Sequence, residues 1–177
     1  MRTLLLALLL ILPGCGDLLS VHPLAATGVM DNSLTGEWIC AENDCKGSVL
    51  VRPEEGYYDI IWIPGEADGE PLRLQGRMVK IGTRFVLDLV TAKRADLAIP
   101  GHFFMLLEKS GEGVKFHWLD SDWLRKQATG TDGVPHLMVD DKPILTGGSA
   151  ALQAFLLKFG LDPKATAGSM AFRRVKE

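Results

Sequence analysis

Histidine, cysteine and tyrosine are scarce in this chain, with four, three and two copies in 177 residues. Four histidines leave little material for a His-built metal centre. No run of lysines and arginines occurs, and the formal net charge is −3. The basic footprint that a phosphate backbone requires is therefore missing, and no nucleic-acid partner is expected. Apolar runs fall short of the roughly 20 residues that a membrane-spanning helix needs. There is no Gly-x-Ser-x-Gly elbow, no His-Glu-x-x-His and no phosphate loop. No catalytic residue, metal ligand or cofactor is assigned. With 47% hydrophobic and 23% charged residues, the composition suits one globular domain rather than a disordered chain.

What is present begins with a leader. Met1-Arg2-Thr3 is a short positive stretch, and Leu4–Leu12 is an unbroken apolar run of secretory length. Leu12-Pro13-Gly14-Cys15 follows, with a small residue directly before a cysteine. This arrangement resembles the bacterial lipobox. The resemblance implies cleavage after residue 14, diacylglycerol on the Cys15 sulfur and an acyl chain such as palmitate on its amine. Gly16 after the cysteine then implies outer-membrane sorting, with the protein facing the periplasm. An ordinary signal peptide with an incidental Cys15 is the alternative. Residues 15–33 have no sustained period and contain Pro23, Gly28 and Asn32, so they read as the lipidated cysteine and a tether. His22 is expected to be a solvated residue of that tether.

Residues 34–177 read as the folded domain. Export makes a disulfide the default for Cys40 and Cys45. A metal pair would want further ligands nearby, and a redox pair is more often Cys-x-x-Cys. Short β-rich stretches follow at Ser48–Arg52, Tyr57–Ile63, Leu72–Ile81, Phe85–Leu89, His102–Glu108 and Val114–Trp118. In Leu72–Met78, Leu72, Leu74 and Met78 alternate with Arg73, Gln75 and Arg77. The phase slips at Val79-Lys80-Ile81, which predicts a bulge. Asp120 or Ser121 caps a short helix, and His136–Val139 is a brief strand. Thr146-Gly147-Gly148-Ser149 opens a longer helix, with Leu152, Phe155, Leu156 and Phe159 on one face and Gly160 at its end. Met170–Val175 is the last strand. The succession predicts a mainly β fold, an antiparallel up-and-down barrel of about eight strands with two helices before the last one.

Gly36-x-Trp38 at the start of the first strand of such a protein resembles the lipocalin, or calycin, signature. That resemblance implies that Trp38 plugs one barrel end and that a late basic residue, Arg173 or Arg174, packs across it. The segments L-D-S-D-W-L-R-K (119–126) and L-T-G-G-S-A-A-L-Q-A-F-L-L-K (145–158), with the final F-R-R-V, resemble a group of uncharacterised bacterial lipoproteins with a lipocalin-like barrel.

Trp62, Leu74, Met78, Leu87, Phe116 and Trp118 are the candidate lining of a ligand pocket, with Trp123 beside them. Asp120 and Asp122 with His117 form a conceivable acid–base cluster, although aspartates at a helix start have a sufficient structural reason. His102 and His136 are expected to be exposed or hydrogen-bonded. The functional expectation is a lipid-anchored envelope protein that binds a small apolar ligand in its barrel. Such a ligand needs a cavity of at least about 300 Å3. The alternative is a filled barrel that binds or inhibits another envelope protein through loops 64–71 and 91–101. An enzyme is the third reading.

Overall fold

The computed structural model describes residues 19–42, 45–65, 69–91, 101–139 and 142–175. The leader, Cys15, residues 66–68 of one candidate contact loop and residues 92–100 of the other lie outside the described residues.

A two-residue strand, β1 (Leu19–Ser20), comes first, then a 3-10 turn at Asn32–Leu34. Seven strands follow: β2 (Gly36–Cys40), β3 (Gly47–Glu54), β4 (Tyr57–Pro64), β5 (Leu72–Ile81), β6 (Arg84–Thr91), β7 (Phe103–Ser110) and β8 (Gly113–Leu119). Helix α1 (Ser121–Ala128) leads to β9 (His136–Val139) and β10 (Lys142–Leu145). Helix α2 (Ser149–Phe155) runs on through a π turn at Leu156–Gly160, 12 residues in all, before β11 (Thr166–Arg174). Strands β2 to β8 pair antiparallel with their sequence neighbours, and β11 closes the ring between β8 and β2. The fold is the closed eight-stranded up-and-down barrel that the strand pattern predicts.

Alternation along the strands builds two cores on opposite sides of one wall. Trp38, Tyr58, Met78, Leu87, Leu107 and Phe172 point inward and fill the barrel. Val79, Ile81, Val86, Phe104, Leu106 and Leu119 point outward. They are covered by Leu24, Leu124, Leu145, Leu152, Phe155 and Leu156 from the helices, β10 and the N-terminal segment. This second core corrects the expected bulge. The β5–β6 register runs unbroken from Leu74↔Thr91 to Ile81↔Arg84. Val79 and Ile81 are apolar because the outer face of β5 passes from water to the second core there.

The tether reading also needs correction for its described part. Ser20 and Leu24 are fully buried. β1 pairs in parallel with β10, and Ser20 exchanges both backbone hydrogen bonds with His102. Asp88 explains the attachment. It points outward from β6, yet it is fully buried beneath this segment. One carboxylate oxygen accepts the Leu24 N–H at 2.7 Å, and the other meets His102 Nδ1 at 2.7 Å. The expected hydrogen-bonded role of His102 is met in the core rather than at the surface. His22 is exposed, as expected. Strand β10 carries Pro143 within it. β1 pairs only at Ile144 and Leu145, so the proline leaves no ladder bond to β1 missing.

Cys40 and Cys45 are joined by a disulfide. Closing so short a loop stabilises by roughly 2 kcal/mol in the chain-entropy treatment.

Asp88→Ala would leave two buried donors without acceptors. At about 1–3 kcal/mol for each buried unsatisfied group, a loss of about 3 kcal/mol is expected in urea unfolding. An unchanged midpoint would contradict the role of Asp88 in holding the N-terminal segment.

Candidate functional site

The two ends of the barrel are built differently. At one end the turns at 55–56, 82–83 and 111–112 are tight, and residues 28–35 lie across the opening. Gly28 N–H donates to Gly56 O and Val29 N–H donates to Met78 O. The Asp31 N–H donates to the Tyr58 hydroxyl at 2.6 Å, and Lys109 Nζ donates to the Asp31 carboxylate and to Ser33 Oγ. Leu34 is buried under this strap. Trp38 sits on it, with its indole Nε1 donating to Leu34 O at 2.9 Å.

Arg174 covers the tryptophan. The β11–β2 register sets Arg174 opposite Trp38, and its guanidinium lies 4.8 Å from the indole centroid. It also donates to Ser33 O. Arg173, one residue earlier, points outward and is exposed. The two arginines that sequence left open are separated by strand alternation alone. Gly36 makes room for Arg174: its φ is +119°, and a Cβ there would meet Arg174 Nη1 at 3.3 Å.

At the other end sit the disulfide and the longer connections. Trp62, Phe116, Trp118 and Met170 are half-buried there. Trp62 and Phe116 each meet Phe172 edge-on, at 5.9 and 5.6 Å between centroids. The Cys45 sulfur touches the Met170 sulfur at 3.4 Å. Trp62, Leu74, Met78, Leu87, Phe116 and Trp118 all belong to the interior cluster, so the expected lining residues are brought together. Only Leu87 and Phe116 of this set border the interior space, which is about 30 Å3 and is otherwise bounded by residues such as Leu34, Trp38, Leu107 and Phe172. That volume accommodates a water molecule or two. It is about a tenth of the ~300 Å3 expected for a small ligand. Gly76 contributes to the filling. A Cβ there would lie 2.6 Å from Ile60 Cδ1, so the missing side chain is what lets Ile60, Leu87 and Leu89 close the middle of the barrel.

Trp123 does not join this set. It packs on the outer core, with Lys164 Nζ 5.7 Å from its ring centroid. The conceivable acid–base cluster is dispersed as well. His117 Nε2 lies 2.9 Å from Glu108 Oε2 on the outer wall. Asp120 accepts the Trp123 N–H at 2.8 Å as an N-cap, and Asp122 pairs with Arg125. His136 Nδ1 meets Val134 O at 2.9 Å. Gly148 caps α2 without a side-chain bond, so the Thr146–Ser149 stretch is a helix start. Among the described residues no group of three or more His, Cys, Asp or Glu is placed to hold a metal ion. No helix among them is long and apolar enough to cross a membrane.

Sequence reasoning missed the strap and the Asp88–His102 pair. The available signals were Asp88 between the inward Leu87 and Leu89, and the apolar Leu19 and Leu24 in a supposed tether. No protein-family model, curated protein or solved structure matches the chain. The lipocalin likeness therefore rests on the residues of this chain and on its barrel.

Two predictions follow from the strap. The Lys109 ammonium, then the Ser33 hydrogen bonds, hold Asp31 down from 3.8 to about 2. A carboxyl depressed on folding stabilises above its unfolded value and loses that contribution as pH falls through the folded one. Wild type should therefore lose stability relative to Asp31→Asn between about pH 4 and pH 2, read as urea midpoints across that range. Parallel curves would contradict it. Arg174→Ala should cost about 1 kcal/mol through the lost cation–π contact, while Trp38→Ala should cost about 3–5 kcal/mol. Equal costs would mean that Arg174, and not the indole, closes this end.

Proposed function

We propose that this chain is a lipid-anchored protein of the bacterial cell envelope that binds through the surface of a filled barrel and performs no catalysis. Cys15 would carry the lipid, at the outer membrane and facing the periplasm. The observation that carries the binding mode is the interior: about 30 Å3 of free space bounded by packed aromatic and aliphatic side chains. Enclosing a ligand would require displacing Phe172 or the aromatic residues packed on it. The anchor is supported by the leader and by the small residue before Cys15. The Cys40–Cys45 disulfide fits an oxidising compartment.

A second reading is enclosure of a slender apolar molecule. It is favoured by the almost wholly apolar boundary of the cavity and by the half-buried Trp62, Phe116, Trp118 and Met170 at the disulfide end. Outward movement of Phe116, which borders the space, would widen it toward that end. Native mass spectrometry of the full chain, extracted from envelopes in mild detergent, separates the two. The surface-binding reading expects only covalent lipid, on the peptide that begins at Cys15, and no saturable binding of a fluorescent fatty acid. A stoichiometric non-covalent lipid, or saturable binding abolished by Leu87→Trp, would replace it with the enclosure reading. An unmodified Cys15 would refute the anchor.

A further inference from the structure

The small sheet on the outside of the barrel has an apolar outer face. Its strand order is β1-β10-β9. One set of cross-strand partners, Ser20, Leu145 and His136, faces the second core, where Ser20 and Leu145 are fully buried. The alternate set is Leu19, Ile144 and Leu137, in register across all three strands. Val139 lies on the same outer face, two residues along β9 from Leu137. A sheet with one face on a core and the other in water carries polar residues at these positions. Here they are aliphatic except for Lys142, which lies opposite Val139 at the end of the face. Leu137, Met138 and Val139 are 63%, 53% and 48% exposed, three consecutive apolar residues at the end of the sheet. Among the described residues no strand pairs with the free edge of β9.

The length of chain before β1 says what covers this face. Leu19 begins β1 only four residues after Cys15. At no more than about 3.6 Å per residue, the anchor point lies within about 15 Å of Leu19. β9 is two strands away from β1, or about 10 Å. A lipid on Cys15 therefore brings its bilayer to the face that carries Leu19, Ile144, Leu137 and Val139.

We infer that the β1-β10-β9 sheet is a membrane-docking surface, its outer aliphatic face seated against the lipid surface to which Cys15 is anchored. This rests on the anchoring proposed above. It adds a second membrane contact to the acyl chains, and stable attachment generally takes more than one. It also fixes orientation. The strands opposite β6 in the ring, β2 and its neighbours, would face away from the bilayer. Asp140, Asp141 and Lys142 follow β9 in sequence and give this end of the sheet charges of both signs, so the surface suits zwitterionic rather than anionic lipid.

The test uses the full chain, purified in detergent and reconstituted into phosphatidylcholine vesicles. With Cys15 acylated and Cys40–Cys45 oxidised, a cysteine introduced by Leu137→Cys is the only free thiol and takes an environment-sensitive dye. Glu37→Cys, exposed on β2, is the control. Spin-labelled lipid should quench the dye at 137 and leave the dye at 37 bright. Val139→Ser in the Leu137→Cys background should reduce that quenching. Unquenched dye at 137 on an acylated, vesicle-bound chain would overturn the docking surface and leave the anchor standing. Dye at 137 shielded from a soluble quencher without vesicles, in a concentration-dependent dimer, would overturn it in favour of a second copy on β9. A chain whose N-terminal peptide carries no lipid refutes the anchor, and the inference falls with it. These failures differ in what is read.

Discussion

The wall formed by the end of β5, β6 and the first part of β7 is buried on both faces, and the rest of the structure answers to that constraint. A barrel wall that faces water on the outside needs only one apolar row per strand. This one carries two, with Met78 and Val79, Val86 and Leu87, and Met105 and Leu106 pointing in opposite directions. The outer row must be covered. The helices, β10 and residues 19–25 are the cover, which is why the chain inserts two helices and a small sheet before its closing strand. Such a wall tolerates a polar group only when that group is fully partnered. Asp88 meets this condition with two partners, Leu24 of the cover and His102 immediately before β7. The carboxylate thus specifies where the cover sits, while the apolar residues supply most of the attraction.

Much of this was legible in sequence where a single face was buried. Strands at Tyr57–Pro64 and Leu72–Ile81 and the turns between them follow from alternation and glycine placement. Trp38 as a plug was what the Gly36-x-Trp38 resemblance implied, and strand parity then separates Arg174 from Arg173. Legibility failed where two faces are buried at once. Val79 and Ile81 looked like a slipped phase because alternation carries no signal when water is absent from both sides. The segment at 19–33 looked like a tether because its contacts are single residues, Leu19, Ser20 and Leu24, without a period. The strap at Asp31 depends on Tyr58 and Lys109, which are 27 and 78 residues away in sequence. No local pattern encodes such pairings. Of the candidate pocket-lining set, Leu87 and Phe116 border the interior space, while Trp62, Leu74, Met78 and Trp118 lie elsewhere in the same cluster. Inward direction can be read from alternation, but whether the inward groups leave a space depends on how Gly76, Ile60 and Phe172 fit together.

A filled barrel changes where function is sought. One end is held shut by the strap, Trp38 and Arg174, and the middle is closed by Phe172 with its two edge-on aromatic neighbours. Among the described residues, Leu137, Met138 and Val139 expose apolar surface on the outside, in the sheet that begins four residues after Cys15. With the proposed anchor at Cys15, the barrel and the aliphatic sheet face near it would together hold an orientation at a membrane.

The central claim is that apolar partners meet the outside of this protein and not its interior. Methyl NMR during a titration with a short-chain phosphatidylcholine tests it most directly. The account predicts shifts at Leu19, Leu137 and Ile144, with Leu87, Leu107 and Met78 unmoved. Shifts at the interior methyls, with the sheet face silent, would contradict it.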